Sequence, residues 1–173
     1  EAQDTAGCRA LLLHQHNYLR HLFDDFMEKY GAVRTLVGIP TPLPGRQEQG
    51  QAPVEDDLAE VPAWVPSFES TKEEHGGKIG WAVVGTRPDL AICHTRIAQK
   101  YKCWERRDDY AVWRAYQYIL QTVRLGILLR ADPADKKLLG VLQRTDSDLA
   151  NDPADTVSTA GLFLSWQGPS TQI

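Results

Sequence analysis

Residues 106–122, RRDDYAVWRAYQYILQT, are followed directly by residues 123–148, VRLGILLRADPADKKLLGVLQRTDSD, and the fold class turns on how these two runs differ. In the first, Asp108 or Asp109 opens a helix, and Val112, Trp113, Tyr116, Ile119 and Leu120 recur at intervals of three and four. That is the spacing of one buried helical stripe ending near Thr122. Beyond Leu125 the period shortens. Leu125 to Leu129 is a short apolar run and Asp132 to Lys136 is a Pro-containing turn. Leu139, Val141 and Gln143 then alternate with Gly140, Leu142 and Arg144, the two-residue period of a strand. A polar turn at Asn151–Asp155 leads to a second strand over Ala160–Trp166, which predicts an antiparallel hairpin. A hairpin alone is marginal in water without further strands or a covering helix.

Upstream of the helix, Thr86-Arg87-Pro88-Asp89 reads as another helix start, with a hydroxyl at the cap, proline in the first turn and a carboxylate three residues on. Leu90, Cys93 or His94, Ile97, Ala98 and Tyr101 form its apolar face. Before it, Ser70 and Glu73 have capping-box spacing, and Ile79, Ala82 and Val83 continue that helix to Gly85. Gly76, Gly77 and Gly80 weaken it unless another backbone packs closely against it. Prolines at 40, 42, 44, 53, 62 and 66 and the acidic run Glu55-Asp56-Asp57 mark an extended connector. At the N-terminal end, Ala10–His14 reads as a strand. Tyr18, Leu19, Leu22, Phe23, Phe26, Met27 and Tyr30 then form the stripe of an amphipathic helix that Gly31 stops. The expected class is α+β, in four segments: a strand-helix unit over 1–37, a Pro-rich connector over 38–66, a helical region over 67–130 and a hairpin over 131–173.

The 173 residues are 42% apolar and 24% charged, the composition of a folded domain rather than of a disordered or collagenous chain. No stretch is long and apolar enough to span a membrane. Cys8, Cys93 and Cys103 are an odd set with no CxxC, which points to reduced thiols in an intracellular compartment rather than a disulfide framework. The chain starts at Glu1 and Met27 is its only methionine, so it is expected to be a processed product or a piece of a longer polypeptide. Net charge is −4, but its sign is partitioned: −6 over 1–86, +5 over 87–130 and −3 over 131–173. The middle third is the candidate electropositive surface. There Arg96, Lys100, Lys102, Arg106 and Arg107 interleave with Tyr101 and Trp104, a mixture suited to a phosphate backbone with occasional stacking and equally to a solvated turn.

Other chemistry is thinly supported. Asp24-Asp25 falls within a helical pattern and reads as a solvated face, Asp56-Asp57 as connector charge and Asp108-Asp109 as a helix cap. His14, His16 and His21 lack a carboxylate or thiolate to complete a tetrahedral zinc set. Cys93 and His94 are adjacent on a helix and point about 100° apart, so they form no thiol-imidazole pair. Asp146 differs, because it stands at the end of a predicted strand with Asp148 two positions on. Carboxylates so placed can begin a magnesium site, but two are too few without ligands from distant segments.

The order of these motifs resembles the Pol polyprotein of copia-type retrotransposons. Thr86-Arg87-Pro88-Asp89-Leu90-Ala91 is similar to that family's TRPDI-like helix start. Tyr116-Gln117-Tyr118-Ile119-Leu120-Gln121-Thr122 with Gly126 is similar to its RYLxGT helix and following Gly-Leu strand. Thr145-Asp146-Ser147-Asp148-Leu149-Ala150 resembles its SDADWAGD turn, and Ser158-Thr159-Ala160-Gly161 with Ser165-Trp166 its STSG strand ending in SW. The Gln15 and Tyr18 helix followed by Thr41-Pro42 resembles the reverse-transcriptase thumb and connector.

The resemblance implies the thumb and connection of a reverse transcriptase followed by the first antiparallel strands of a truncated ribonuclease H-like sheet. It implies an RNA/DNA hybrid as partner, with Arg96, Lys100, Lys102, Arg106 and Arg107 as nucleic-acid contacts. By position, Asp146 is the family's first nuclease aspartate, holding magnesium with Asp148 beside it, once other segments complete the site. Leu149 replaces the usual tryptophan, Val157 stands where a basic residue is common, and Gln167-Gly168-Pro169 replaces a lysine-rich turn. In the family pattern the polymerase aspartates precede Glu1 and the other nuclease carboxylates follow Ile173, so the chain is expected to be catalytically incomplete. The alternative is a transposon-derived structural or adaptor subunit with no nucleic-acid role, pairing its open sheet edge with a protein partner.

Overall fold

The structure is a computed structural model that describes residues 9–31, 38–40, 42, 61–148 and 159–173, the side chains at 146–148 and 159–160 excepted. Most of the expected connector, with Thr41 and Glu55–Asp57, lies outside the described residues. So do Cys8, the turn at Asn151–Asp155, and Leu149, Ala150, Val157 and Ser158.

In chain order the elements are β1 (Arg9–Leu13), α1 (His16–Tyr30), α2 (Lys72–Gly85), α3 (Ala91–Gln99), α4 (Arg106–Gln121), β2 (Ile127–Ala131), β3 (Gly140–Asp148) and β4 (Thr159–Gln167). Short 3-10 turns at Glu69–Thr71, Pro88–Leu90 and Pro133–Lys137 join them. The class is α+β, with helices and antiparallel strands in the order the sequence predicts. The chain divides into two compact units, one of Glu1–Leu13 with Leu128–Ile173, the other of His14–Ile127. β1 therefore belongs with the C-terminal strands and α1 with the other helices, because β1 pairs with β2 while the apolar face of α1 is buried among helices.

The helical unit is built around the stripes read from the sequence. Leu19, Leu22 and Phe26 of α1 are buried, while Arg20, Asp24, Asp25 and Glu28 face water. Val112, Trp113, Ala115, Tyr116, Tyr118 and Ile119 of α4 close over them. Phe26 is the centre of an aromatic cluster, stacked on Tyr116 at 3.8 Å between ring centroids and tilted against Trp113 at 5.5 Å and Phe68 at 5.8 Å. Truncating such a buried ring costs about 3–5 kcal/mol.

Two start signals resolve differently from expectation. Ser70 lies inside the 3-10 turn that runs straight into α2, so the Ser70–Glu73 capping box does not form and no side chain caps α2. Thr86 does not cap α3 either: its N–H closes the end of α2 on the Ala82 carbonyl at 3.1 Å, and its hydroxyl donates to Gln15 Oε1 at 3.2 Å. Pro88 does begin a turn, of 3-10 form, ahead of α3.

At Gly76 and Gly80 it is a side chain that packs closely against α2, rather than the close backbone the sequence suggests. A Cβ on Gly76 would overlap the Tyr101 hydroxyl, and one on Gly80 would lie 2.6 Å from His94 Nε2. Gly77 faces open space.

In the other unit β3 and β4 form the expected antiparallel hairpin, with Val141 opposite Trp166, Gln143 opposite Leu164, Thr145 opposite Leu162 and Asp146 opposite Gly161. The C-terminal residues join the two strand pairs. Arg130 and Gln172 exchange backbone hydrogen bonds at 2.9 Å, and Trp166 and Ile173 do so at 2.7 and 2.9 Å. By strand alternation Val141, Leu162, Leu164 and Trp166 share one face, and each is more than half exposed. Positions 142, 144, 146 and 148 fall on the other.

Candidate nucleic-acid interface

The five basic residues singled out in the sequence fall on the end of α3, the turn after it and the start of α4. Arg96 occupies the last turn of α3 and Lys100 caps it, where cations are favoured by the exposed carbonyls of a helix C-terminus. Lys102 follows in the turn, closed by the Cys103 N–H donating to the Lys100 carbonyl at 3.0 Å. The side chains of these three make no hydrogen bond or ion pair among the described residues.

Arg106 and Arg107 are placed otherwise. Arg106 donates from Nη1 to Asp109 Oδ2 at 2.9 Å, and from Nη2 to the carbonyls of Val65 and Pro62. Arg107 pairs with Glu105 at 2.8 Å, both side chains being exposed, an arrangement that contributes little to stability.

Asp109, 2% exposed, is the centre of this region. Its Oδ1 accepts from the Phe68 N–H at 2.7 Å and from Trp104 Nε1 at 2.9 Å, while Oδ2 takes Arg106. The segment before α2, the turn after α3 and the first turn of α4 thus converge on one carboxylate. The helix opens earlier than the sequence reading has it: Glu105 is the N-cap, and Asp108, at the third helical position, completes a capping box by accepting the Glu105 N–H on Oδ2 at 2.7 Å. Burial raises its pKa against the opposing effect of that bond and of Arg107 and Lys100.

The aromatic residues of the basic segment are engaged internally. Tyr101 fills the space left by Gly76. Trp104 is tied to Asp109, with Lys72 Nζ over its ring at 5.8 Å.

Two further polar centres escaped the sequence reading because each sits within an apolar stripe or a turn motif. Arg87 is wholly buried, paired with Asp89 at 2.7 Å, and Tyr118 donates to the same carboxylate at 2.8 Å. Burial alone would raise the Asp89 pKa, but the Arg87 and Tyr118 hydrogen bonds outweigh it and hold the carboxyl below its usual value. An Arg-x-Asp spacing at a helix start was the available signal. His75, 2% exposed, places Nδ1 2.8 Å from the Tyr116 hydroxyl and leaves Nε2 without a partner. Desolvation lowers its pKa to about 4. Cys93 is buried with its thiol pushed up to about 11 by burial, and the His94 ring lies against Gly80, so no activated thiol forms here.

Asp146 and Asp148 both fall in β3, opposite Gly161 and Thr159. Two residues apart on one strand, their Cα atoms are about 7 Å apart. No carboxylate stands across from either position, and no group of three metal-ligating residues occurs among the described residues. These two positions do not make a magnesium cradle without ligands from other segments. Among the described residues no helix is long and apolar enough to cross a membrane.

Comparison with protein-family models, with curated proteins and with solved structures finds no match to this chain.

Proposed function

We propose that the chain is part of a copia-type reverse transcriptase with its ribonuclease H, in which the helical unit contributes contacts to an RNA/DNA template-primer and the β3–β4 hairpin opens a ribonuclease H-like sheet. The observation that carries this reading is the pairing of Asp146 with Gly161. Thr145-Asp146-Ser147-Asp148 and the Thr159-Ala160-Gly161 part of the second motif, which supply the resemblance to the nuclease, are separated in sequence yet lie on the two paired strands of one hairpin. The hairpin also presents an apolar face at Val141, Leu162, Leu164 and Trp166, as a sheet built to receive a covering layer would.

Chemistry is not assigned to the chain alone. With two carboxylates from a single strand, hybrid cleavage in the presence of magnesium is not expected, and cleavage abolished by Asp146→Asn would overturn this. Binding is expected. A labelled RNA/DNA hybrid should raise the anisotropy of the full chain at low salt and be released as salt increases, because phosphate contacts displace counterions. A flat titration at 50 mM salt would overturn the template-primer reading.

A second reading, an adaptor that joins a protein assembly, is favoured by one observation: the apolar face of Val141, Leu162, Leu164 and Trp166 is uncovered. Stable co-purification with a protein assembly together with flat hybrid titrations would select it.

A further inference from the structure

Resting on the template-primer reading, we infer that four of the five cations divide into two groups with different tasks, Arg107 standing apart in its ion pair with Glu105. Arg96, Lys100 and Lys102 bind phosphate, while Arg106, through Asp109, only positions the turn that carries them.

The division follows from where each charge is already used. Arg106 spends its guanidinium on Asp109 and on the Val65 and Pro62 carbonyls, and the carboxylate it meets is 3% exposed, so moving it to a ligand would strand a buried charge. Arg107 shares its charge with Glu105 in an exposed pair and is assigned to neither group. Arg96 and Lys100 lie one helical turn apart, with Cβ atoms on the order of 5–6 Å from each other, and Lys102 follows two residues later. Lys100 also lies within electrostatic reach of Asp108, but that carboxylate is committed to the Glu105 N–H.

The class of ligand follows from the aromatics. Base recognition on an unpaired strand needs a free aromatic face. Tyr101 is packed over Gly76, and Trp104 has its N–H on Asp109 and Lys72 above its ring. What remains for a ligand is three cations on a turn pinned by Asp109, which suits a sugar-phosphate backbone irrespective of sequence. Asp109 is a positioning residue.

The test is the salt dependence of binding by the full chain. Anisotropy titrations with an RNA/DNA hybrid, a DNA duplex and a single-stranded RNA, each in two base sequences, give the slope of log K against log salt. Arg96→Gln, Lys100→Gln and Lys102→Gln should each reduce the slope by about 0.9 on a duplex, so that all three together remove the roughly 40-fold loss of affinity between 50 and 200 mM that three contacts produce. Arg106→Gln should lower the melting temperature and leave the slope at its wild-type value, and changing the base sequence should have no effect.

Hybrid binding with a slope unmoved by the three substitutions, or reduced by Arg106→Gln, overturns this assignment and leaves the template-primer reading intact. Binding of the DNA duplex and single strand through the trio, with the hybrid refused, supports the phosphate surface and removes the reverse-transcriptase reading. No binding in any arm overturns both.

Discussion

Arg87 holds Thr122 from 35 residues away, with Nη2 donating to Oγ1 at 2.6 Å and Nη1 to the main-chain carbonyl at 3.1 Å. The last turn of α4 is thereby fastened to the turn before α3, and the same guanidinium holds Asp89 and lies 5.5 Å from the centroid of the Tyr118 ring. Removing it takes the guanidinium donors from Thr122 and Asp89, leaving the Thr122 carbonyl only the Leu125 N–H at 2.9 Å and the Asp89 carboxylate the Tyr118 hydroxyl. Arg87→Ala is expected to destabilise the helical unit by about 3–5 kcal/mol, against about 1 kcal/mol for Tyr118→Phe, which deletes one hydrogen bond. Urea denaturation followed by far-ultraviolet circular dichroism would check both values, and equal effects would contradict a central role for Arg87.

His75 makes stability depend on pH. Its folded pKa of about 4 lies below the ordinary 6.5, so the unfolded chain takes up the proton first. The contribution of the neutral ring is complete above about pH 6.5 and is lost as pH falls toward 4, amounting to about 3 kcal/mol. His75→Phe should flatten the stability profile over that window, at the expense of the Tyr116 hydroxyl partner. A profile of unchanged steepness would place the acid sensitivity elsewhere.

Adjacent glycines in α2 should respond oppositely to alanine. Gly77→Ala meets nothing within 4 Å and gains helix propensity, so it should stabilise by about 0.5–1 kcal/mol. Gly76→Ala drives a methyl into the Tyr101 hydroxyl and should destabilise by about 1–3 kcal/mol. Thermal melts of the two variants decide the matter, and a shared sign would disprove the packing of Tyr101.

The two described thiols should differ in reactivity. Cys103 is exposed, whereas Cys93 is buried with its pKa raised to about 11, leaving little thiolate near neutral pH. Iodoacetamide labelling read by mass spectrometry should modify Cys103 in the native chain and Cys93 only after denaturant is added. Equal labelling rates would show that the core around Cys93 opens readily.

Asp109 illustrates how far the candidate site can be read from sequence. The pair Asp108-Asp109 was legible as marking a helix start, and Asp108 does complete the capping box there, with Glu105 rather than either aspartate as the N-cap, because capping is local and needs only a three-residue spacing. The task of Asp109 depends on Phe68, 41 residues earlier, and no local pattern encodes a partner so distant. Arg106 looked like its basic neighbours for the same reason: its charge is in the sequence, but the buried carboxylate that consumes it is not.

What the sequence determined by itself was the kind and order of the elements. Burial repeats every three to four residues in a helix and every two in a strand, so the stripes of α1 and α4 and the alternation of β3 and β4 were written in the chain. Tertiary structure alone decided that β1 joins the C-terminal strands, that Tyr101 packs where Gly76 leaves space, and that Arg106 is engaged by Asp109. Each depends on contacts between residues remote in sequence, where packing and hydrogen bonding select one arrangement among many that local periodicity permits equally.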